Sequence, residues 1–426
     1  MSQSRLSLQS RRGASAGRGC RRTDWAGVMI HVIGGCYREI CMSPEVSQYY
    51  GSAGRAATAL AARTEVRLHT FVGPRGGHEV KKLGALGGFE VEATSVGVDV
   101  SFGYVHPLHS TFVSPARGSF QKSADLQVDA GNEIALVFGA YEGTVAAKAR
   151  TIVYDPQDGI APVPYNLTGC RAADRLAIIM NTAEAFATTG TGDVQLAGTS
   201  VLRETGADIV IVKSGPRGAL VFGAVDTAPV EIPAFFSRSM FGIGTGDVFA
   251  AAFTYFWAEC GEATVDAARK ASQAVSHYVE TRSDRLPSDE NLGRYCRAVS
   301  VTPGRVYLAG PFFTMAKRWL VEEARDQLMG LGLHVFSPVH DVGKGPASVV
   351  APLDLAGLDS SDRVFAIVDG LDAGTIFEVG YARKLGLPVY CYGETIDPED
   401  SKMITGSGCH LIADFATAIY HTAWKC

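Results

Sequence analysis

The chain has 426 residues, too many for one ordinary hydrophobic core, so two domains are expected. A net charge of −5, with 46% hydrophobic and 19% charged residues, describes a globular chain and argues against a nucleic-acid-binding surface. No apolar run reaches the ~20 residues of a membrane span. The nine cysteines form no C-x-x-C pair, which points to a reducing, cytoplasmic setting and away from a zinc site.

Residues 1–24 are rich in Ser, Arg and Gly, with Arg11-Arg12 and Arg21-Arg22. No apolar segment follows, as a signal peptide would require, so 1–27 is expected to be a disordered basic tail. Val28–Ile33 is a β-branched run ending in Gly34-Gly35 and reads as a buried first strand. Gly51-Ser52-Ala53-Gly54 then opens an alanine-rich helix over Arg55–Arg63. Further strands are predicted at Val66–Val72, Ile134–Phe138 and Thr151–Tyr154, the last ending in Asp155-Pro156. Asn181-Thr182-Ala183-Glu184 follows, then a strand at Ile209–Lys213 and the turn Ser214-Gly215-Pro216-Arg217-Gly218.

The stretch Phe241–Phe253 organises this half. Gly242, Gly244 and Gly246 precede a single carboxylate, Asp247, and an apolar helical run. Glycines let the backbone approach a ligand closely, and the free N–H groups of a helix start suit an anion. Asp247 would then accept a proton beside a bound phosphate. On spacing alone the stretch fits equally a glycine turn whose Asp247 caps a helix. Ala267–Val279 is a helix with a core-facing stripe. Strands alternating with helices imply a mostly parallel sheet covered on both faces, with ligands at the carboxyl ends of the strands.

Gly244-Thr245-Gly246-Asp247 resembles the signature of the ribokinase-like (PfkB) sugar and nucleoside kinases, and the resemblance covers roughly residues 29–296. It implies an α/β/α sandwich using ATP and Mg²⁺. In it, Gly242, Gly244, Thr245 and Gly246 form an anion hole and Asp247 is the catalytic base. Asn181 and Glu184 match the family's N-x-x-E motif, whose glutamate helps place hydrated Mg²⁺. Lys213, Gly215 and Gly218 match the nucleotide side. Gly51 and Gly54 match the glycine motif against the substrate. Tyr37 and Glu39 stand where the family holds sugar hydroxyls with Asn and Asp, and Ala56 replaces a further asparagine. Tyr37 offers a face for a base, or is a buried structural tyrosine.

Pro287, Pro303 and Gly304 flank a polar stretch, which places a junction near 297–304 and domains at 28–298 and 303–426. Beyond it, strands are predicted at Arg305–Ala309, His334–Phe336, Arg363–Val368 and Pro388–Tyr392, with helices at Met315–Met329 and Thr375–Leu385. They make a smaller, flavodoxin-like parallel α/β sandwich. The tail from Leu411 reads as an amphipathic helix ending near Trp424. Glu378 lies in an otherwise apolar helix among Ile376, Phe377, Val379 and Tyr381, where a carboxylate needs a partner or a function.

Tyr307-Leu-Ala-Gly310-Pro-Phe312-Phe313, Asp354-Leu-Ala-Gly-Leu and Asp372-Ala-Gly-Thr-Ile-Phe-Glu378 resemble the nucleoside 2-deoxyribosyltransferase family over about 305–392. The resemblance makes Glu378 the nucleophile, oriented by Tyr307, with Asp354 and Asp372 holding and protonating the base. Gly310, Phe312 and Phe313 fall on the substrate side. Lys317 and Arg318 leave nucleotide substrates open, and no counterpart of the family's C-terminal asparagine is found, so water is a possible acceptor. Together the resemblances imply a bifunctional nucleoside enzyme and a homo-oligomer. The altered Tyr37, Glu39 and Ala56 leave a second option, in which only the rear half is catalytic and the front half senses nucleotide or oligomerises.

Overall fold

The computed structural model describes residues 28–425 apart from 117, 121, 123, 158–160 and 224–226; the predicted basic tail at 1–27 lies outside them. The first strand, β1 (Ile30–Gly35), starts two residues later than its apolar run suggests and is buried throughout. It is followed in the same sheet by β2 (Val66–Val72), β3 (Glu90–Ser95), β4 (Ala124–Asp129), β5 (Ile134–Phe138) and β6 (Gly143–Asp155). Next come β7 (Arg171–Asn181), β8 (Ile209–Lys213), β9 (Ala219–Phe222) and β10 (Val230–Ile232). The spatial order is β10-β9-β8-β7-β6-β5-β1-β2-β3, with β4 beside β6. Pairing is parallel except where β9 meets β8 and β10.

β5 shows why the central strands are continuous apolar runs. Leu136 and Phe138 enter one core, while Ala135 and Val137 enter another. Successive side chains point to opposite faces, so a sheet buried on both sides needs apolar residues at every position. On one face lie α1 (Gly51–Ala61), α4 (Thr245–Phe253) and α5 (Thr264–Thr281). On the other lie α2 (Thr182–Thr189) and α3 (Val194–Thr205). This is the expected α/β/α sandwich. A separate sheet of Arg38–Cys41, Val46–Tyr49, Ser101–Tyr104 and Phe112–Ser114 was not anticipated. These strands are three or four residues long and mostly half-exposed, too short to show a period.

The second half contains β11 (Arg305–Ala309), β12 (His334–Phe336), β13 (Arg363–Ile367), β14 (Val389–Tyr392) and β15 (His410–Ile412). Their order is β12-β11-β13-β14-β15, all parallel, the doubly wound order of flavodoxin-like sheets. The helices α6 (Met315–Gly330), α7 (Ala347–Asp359), α8 (Ala373–Lys384) and α9 (Phe415–Trp424) pack around it. No helix among the described residues is long and apolar enough to cross a membrane.

The C-terminal helix differs from expectation. Leu411 belongs to β15, and α9 begins at Phe415 behind an Asp414 cap. Phe415–Ile419 and Thr422–Trp424 are buried, so the helix is not a one-sided surface element. Ala416 and Trp424 join a core of the first half, while Ala418, Ile419 and Ala423 join one of the second. Arg363, fully buried on β13, donates to the carbonyls of Thr422 at 2.8 Å, Ala423 at 3.2 Å and Pro303 at 3.0 Å. Across the halves, Trp424 Nε1 donates to Pro216 O at 2.9 Å and Met240 N donates to Thr417 Oγ1 at 2.9 Å.

Candidate active sites

α4 starts from Gly244, which has φ +81° and supplies no side-chain cap. A Cβ at Gly244 would lie 1.9 Å from Arg55 Nε, so only glycine lets the loop close over that guanidinium. The free N–H groups of the α4 start therefore face a space that also holds a cation: a Cβ at Gly246 would lie 3.2 Å from Lys213 Nζ. Lys213 is itself held by Asp155 at 2.7 Å. Asp247 sits in the first turn rather than at the cap, which removes the capping alternative. Its Oδ1 accepts from Gln157 Nε2 at 3.1 Å, and its Oδ2 lies 3.4 Å from Arg55 Nε. Burial pushes the Asp247 carboxyl up to about 6, with Arg55 pulling the other way.

Gly244, Gly246, Lys213, Asp247 and Gln157 line one cavity of about 660 Å³, with the fully buried Arg55 and Asp155 behind them. Of the predicted residues, the Gly242–Asp247 loop, Lys213, Gly215, Gly218, Asn181, Glu184, Tyr37, Glu39 and Gly51 all contribute to its wall. Gly54 does not. Its missing side chain makes room for Cys36 Sγ and Leu83, each 3.0 Å from where a Cβ would stand, so it is a packing glycine. Glu39 is engaged through one oxygen, Oε2, which pairs with Arg55 and accepts from Gln48 Nε2 at 2.9 Å. The Tyr37 hydroxyl is fixed as well, donating to Glu142 at 2.9 Å and accepting from Tyr141 N at 3.0 Å. Asn181 and Glu184 form a reciprocal capping box at the start of α2, each with a 2.8 Å bond to the other's backbone N–H. Glu184 thus has a structural task at the cavity edge. Among the described residues no cluster of three or more His, Cys, Asp and Glu is arranged to hold a metal.

Arg55 was missed as a site residue. It is fully buried, pairs with Glu39, approaches Asp284 at 3.3 Å and donates to the Tyr278 hydroxyl at 3.1 Å. A lone charge in the alanine-rich 51–61 helix was the available signal, the same one that singles out Glu378. Gln157 was missed too. It links Ser52, whose hydroxyl donates to it at 2.6 Å, with Asp247.

In the second half, Tyr307 on β11 and Glu378 on α8 meet at the carboxyl end of the sheet. The fully buried Tyr307 donates its hydroxyl to Glu378 Oε1 at 2.7 Å. Burial raises the Glu378 carboxyl to about 7, Tyr307 opposes the rise, and Asp354 and Asp372 add to it. Glu378 is half-buried, not sealed. Asp354 on α7 keeps a buried Oδ1 with no partner among the described residues, and burial raises its carboxyl too. Asp372 caps α8, accepting from Thr375 N at 3.0 Å and Thr375 Oγ1 at 3.1 Å. Gly310 is again a packing glycine, with Ile367 and Val321 3.3 Å from its missing side chain. Phe312 and Phe313 stand 5.2 Å apart, Phe313 being 66% exposed. Arg318 is tied to Phe312 O at 2.9 Å.

Residues 173–291 match the model of the pfkB family carbohydrate kinases, and residues 306–409 that of nucleoside 2-deoxyribosyltransferase. Among curated proteins no match is found. Solved structures similar to the chain include a fructokinase from Vibrio cholerae O395, with 13% identity over 63% of this chain and 98% of that one, TM-score 0.47. A nucleoside kinase from Methanocaldococcus jannaschii shares 13% identity over 63% and 98%, TM-score 0.47. A ribokinase from Thermotoga maritima shares 16% over 63% and 99%, TM-score 0.41. The chain thus joins a stretch that matches the pfkB carbohydrate kinase family to one that matches the nucleoside 2-deoxyribosyltransferase family.

Proposed function

We propose that the protein is a bifunctional nucleoside-metabolising enzyme. The first half transfers a phosphoryl group from ATP to a hydroxyl of a nucleoside or pentose. The second cleaves or transfers the N-glycosidic bond of a nucleoside through Glu378. The observation that carries the first assignment is Asp247 beside Lys213 and the α4 start in one cavity. That cradle fits a polyphosphate: helix N–H groups, an ammonium, and glycine backbone where a side chain would intrude. ATP would supply the phosphoryl group, and Mg²⁺ would neutralise its oxygens, with Glu184 on the cavity wall as the predicted ligand. Asp247 would take the proton of the attacking hydroxyl as the new O–P bond forms and the bond from the transferred phosphorus to the leaving ADP breaks.

In the second half Glu378 attacks the anomeric carbon as the C–N bond breaks and its electron pair moves to the base. Asp354, with its unpartnered oxygen, delivers a proton to the departing base, and Asp372, capping the helix that carries Glu378, helps hold the base. Water or a second base then displaces Glu378 from the sugar. Homo-oligomerisation and a cytoplasmic setting belong to this reading. Exposed Phe313, Met315 and Phe377, from the loop before α6, α6 itself and the Glu378 helix, support the former, since a second copy would cover them.

One observation favours the option that only the second half is catalytic. Arg55 pairs with one oxygen of Glu39, a predicted sugar-holding group, and also reaches Asp247. Labelled ATP and a nucleoside panel test both readings. Phosphorylated product and free base are expected; free base without any phosphorylated product leaves only the second activity.

A further inference from the structure

The cavity that holds Asp247 is not built by the first half alone. Tyr420 and Trp424 of α9 form part of its wall. Their rings meet edge-on, 5.4 Å apart, and the Trp424 indole is fixed by its bond to Pro216 O at 2.9 Å. The Tyr420 hydroxyl lies over Gly215, 3.6 Å from where a side chain there would begin. It has no hydrogen-bond partner among the described residues, although burial holds the phenol neutral up to about 12.

Several other lining residues are apolar or already satisfied. Phe235, Val275 and Val279 contribute hydrocarbon surface. The hydroxyls of Ser272 and Ser276 are engaged, donating to Pro233 O at 2.7 Å and Phe235 O at 2.9 Å. A slot with apolar walls and one neutral phenol, continuous with a cationic anion cradle, suits one class of ligand. That class has a flat heteroaromatic ring with polar edges at one end and several phosphates at the other.

We propose that the C-terminal helix of the second half completes the phosphoryl-donor pocket of the first. Tyr420 hydrogen-bonds the base of a nucleoside triphosphate, and Trp424 closes the end of its slot. This rests on the kinase reading above and adds to it a residue pair from the other half. It also makes the donor a ligand of both halves, because α9 is tied to β13 through Arg363.

Isothermal titration of the full chain with the β,γ-imido analogue of ATP and with inorganic tripolyphosphate tests this. In Tyr420→Phe, which keeps the ring in place, the nucleotide analogue should bind about five- to tenfold more weakly. Tripolyphosphate, lacking a base, should bind as in the wild type. Unchanged nucleotide affinity in Tyr420→Phe overturns the proposal and leaves the kinase reading standing. The proposal is equally overturned if the wild type binds tripolyphosphate as tightly as the nucleotide. If the wild type binds neither probe, the kinase reading itself fails and this inference goes with it.

Discussion

The Tyr307 hydroxyl donates to Glu378 across 71 residues of sequence, at 2.7 Å, from the neighbouring strand to the one carboxylate of α8. Burial and two nearby aspartates hold Glu378 at about 7, and this bond favours its ionised form. A nucleophile must be ionised, so base release should rise with pH through about 7. Tyr307→Phe removes the favouring bond and should move that rise to higher pH, with about tenfold less activity at pH 7, as expected for a hydrogen bond to a charged group. A pH profile of base release that does not move would show that Tyr307 does not support the carboxylate.

Asp354 gives a prediction in which activity and stability part company. Its Oδ1 is buried and unpartnered, which costs folding free energy. Asp354→Asn keeps the shape and removes the acid. Base release should fall by about 10²–10³, while the thermal midpoint stays level or rises. A lower midpoint with intact base release would make Asp354 a structural residue.

Arg55 should matter chiefly for folding of the first half. Arg55→Met strands Glu39, Asp247 and Asp284 without their shared cation. Removing one partner of a buried ionic group typically costs about 3–5 kcal/mol. Urea denaturation checks this, and a loss below about 1 kcal/mol, typical of exposed pairs, would contradict it.

Burial raises Asp247 to about 6, so phosphoryl transfer should climb as pH rises through that value and level off above it. Asp247→Asn should lower the rate by about 10²–10⁴, the range for loss of a general base. A radiolabel-transfer assay from mildly acidic to mildly alkaline pH reads both effects; a rate that falls as pH rises through this range would remove Asp247 from the role.

Much of the fold was legible because the buried parallel strands are unbroken apolar runs. Val66–Val72, Ile134–Phe138, Ile209–Lys213 and Arg305–Ala309 have the limits their composition suggests. The small sheet over the cavity was not legible, since strands such as Phe112–Ser114 carry no period to detect. Among the candidate site residues, the glycine loop and Glu378 stood out in the local pattern. The fate of Tyr37 and Glu39 was not, because Glu142 lies 105 residues away and Arg55 lies one helix on. Nor does any local signal carry Tyr420 to Gly215; that meeting depends on how the two halves pack.

The most direct test pairs Asp247→Ala with Glu378→Ala and follows phosphorylated product and free base in the same incubations. Asp247→Ala should abolish phosphorylation and leave base release intact, and Glu378→Ala should do the reverse. Loss of both products in either variant, with its fold retained by circular dichroism, would contradict two separate catalytic centres.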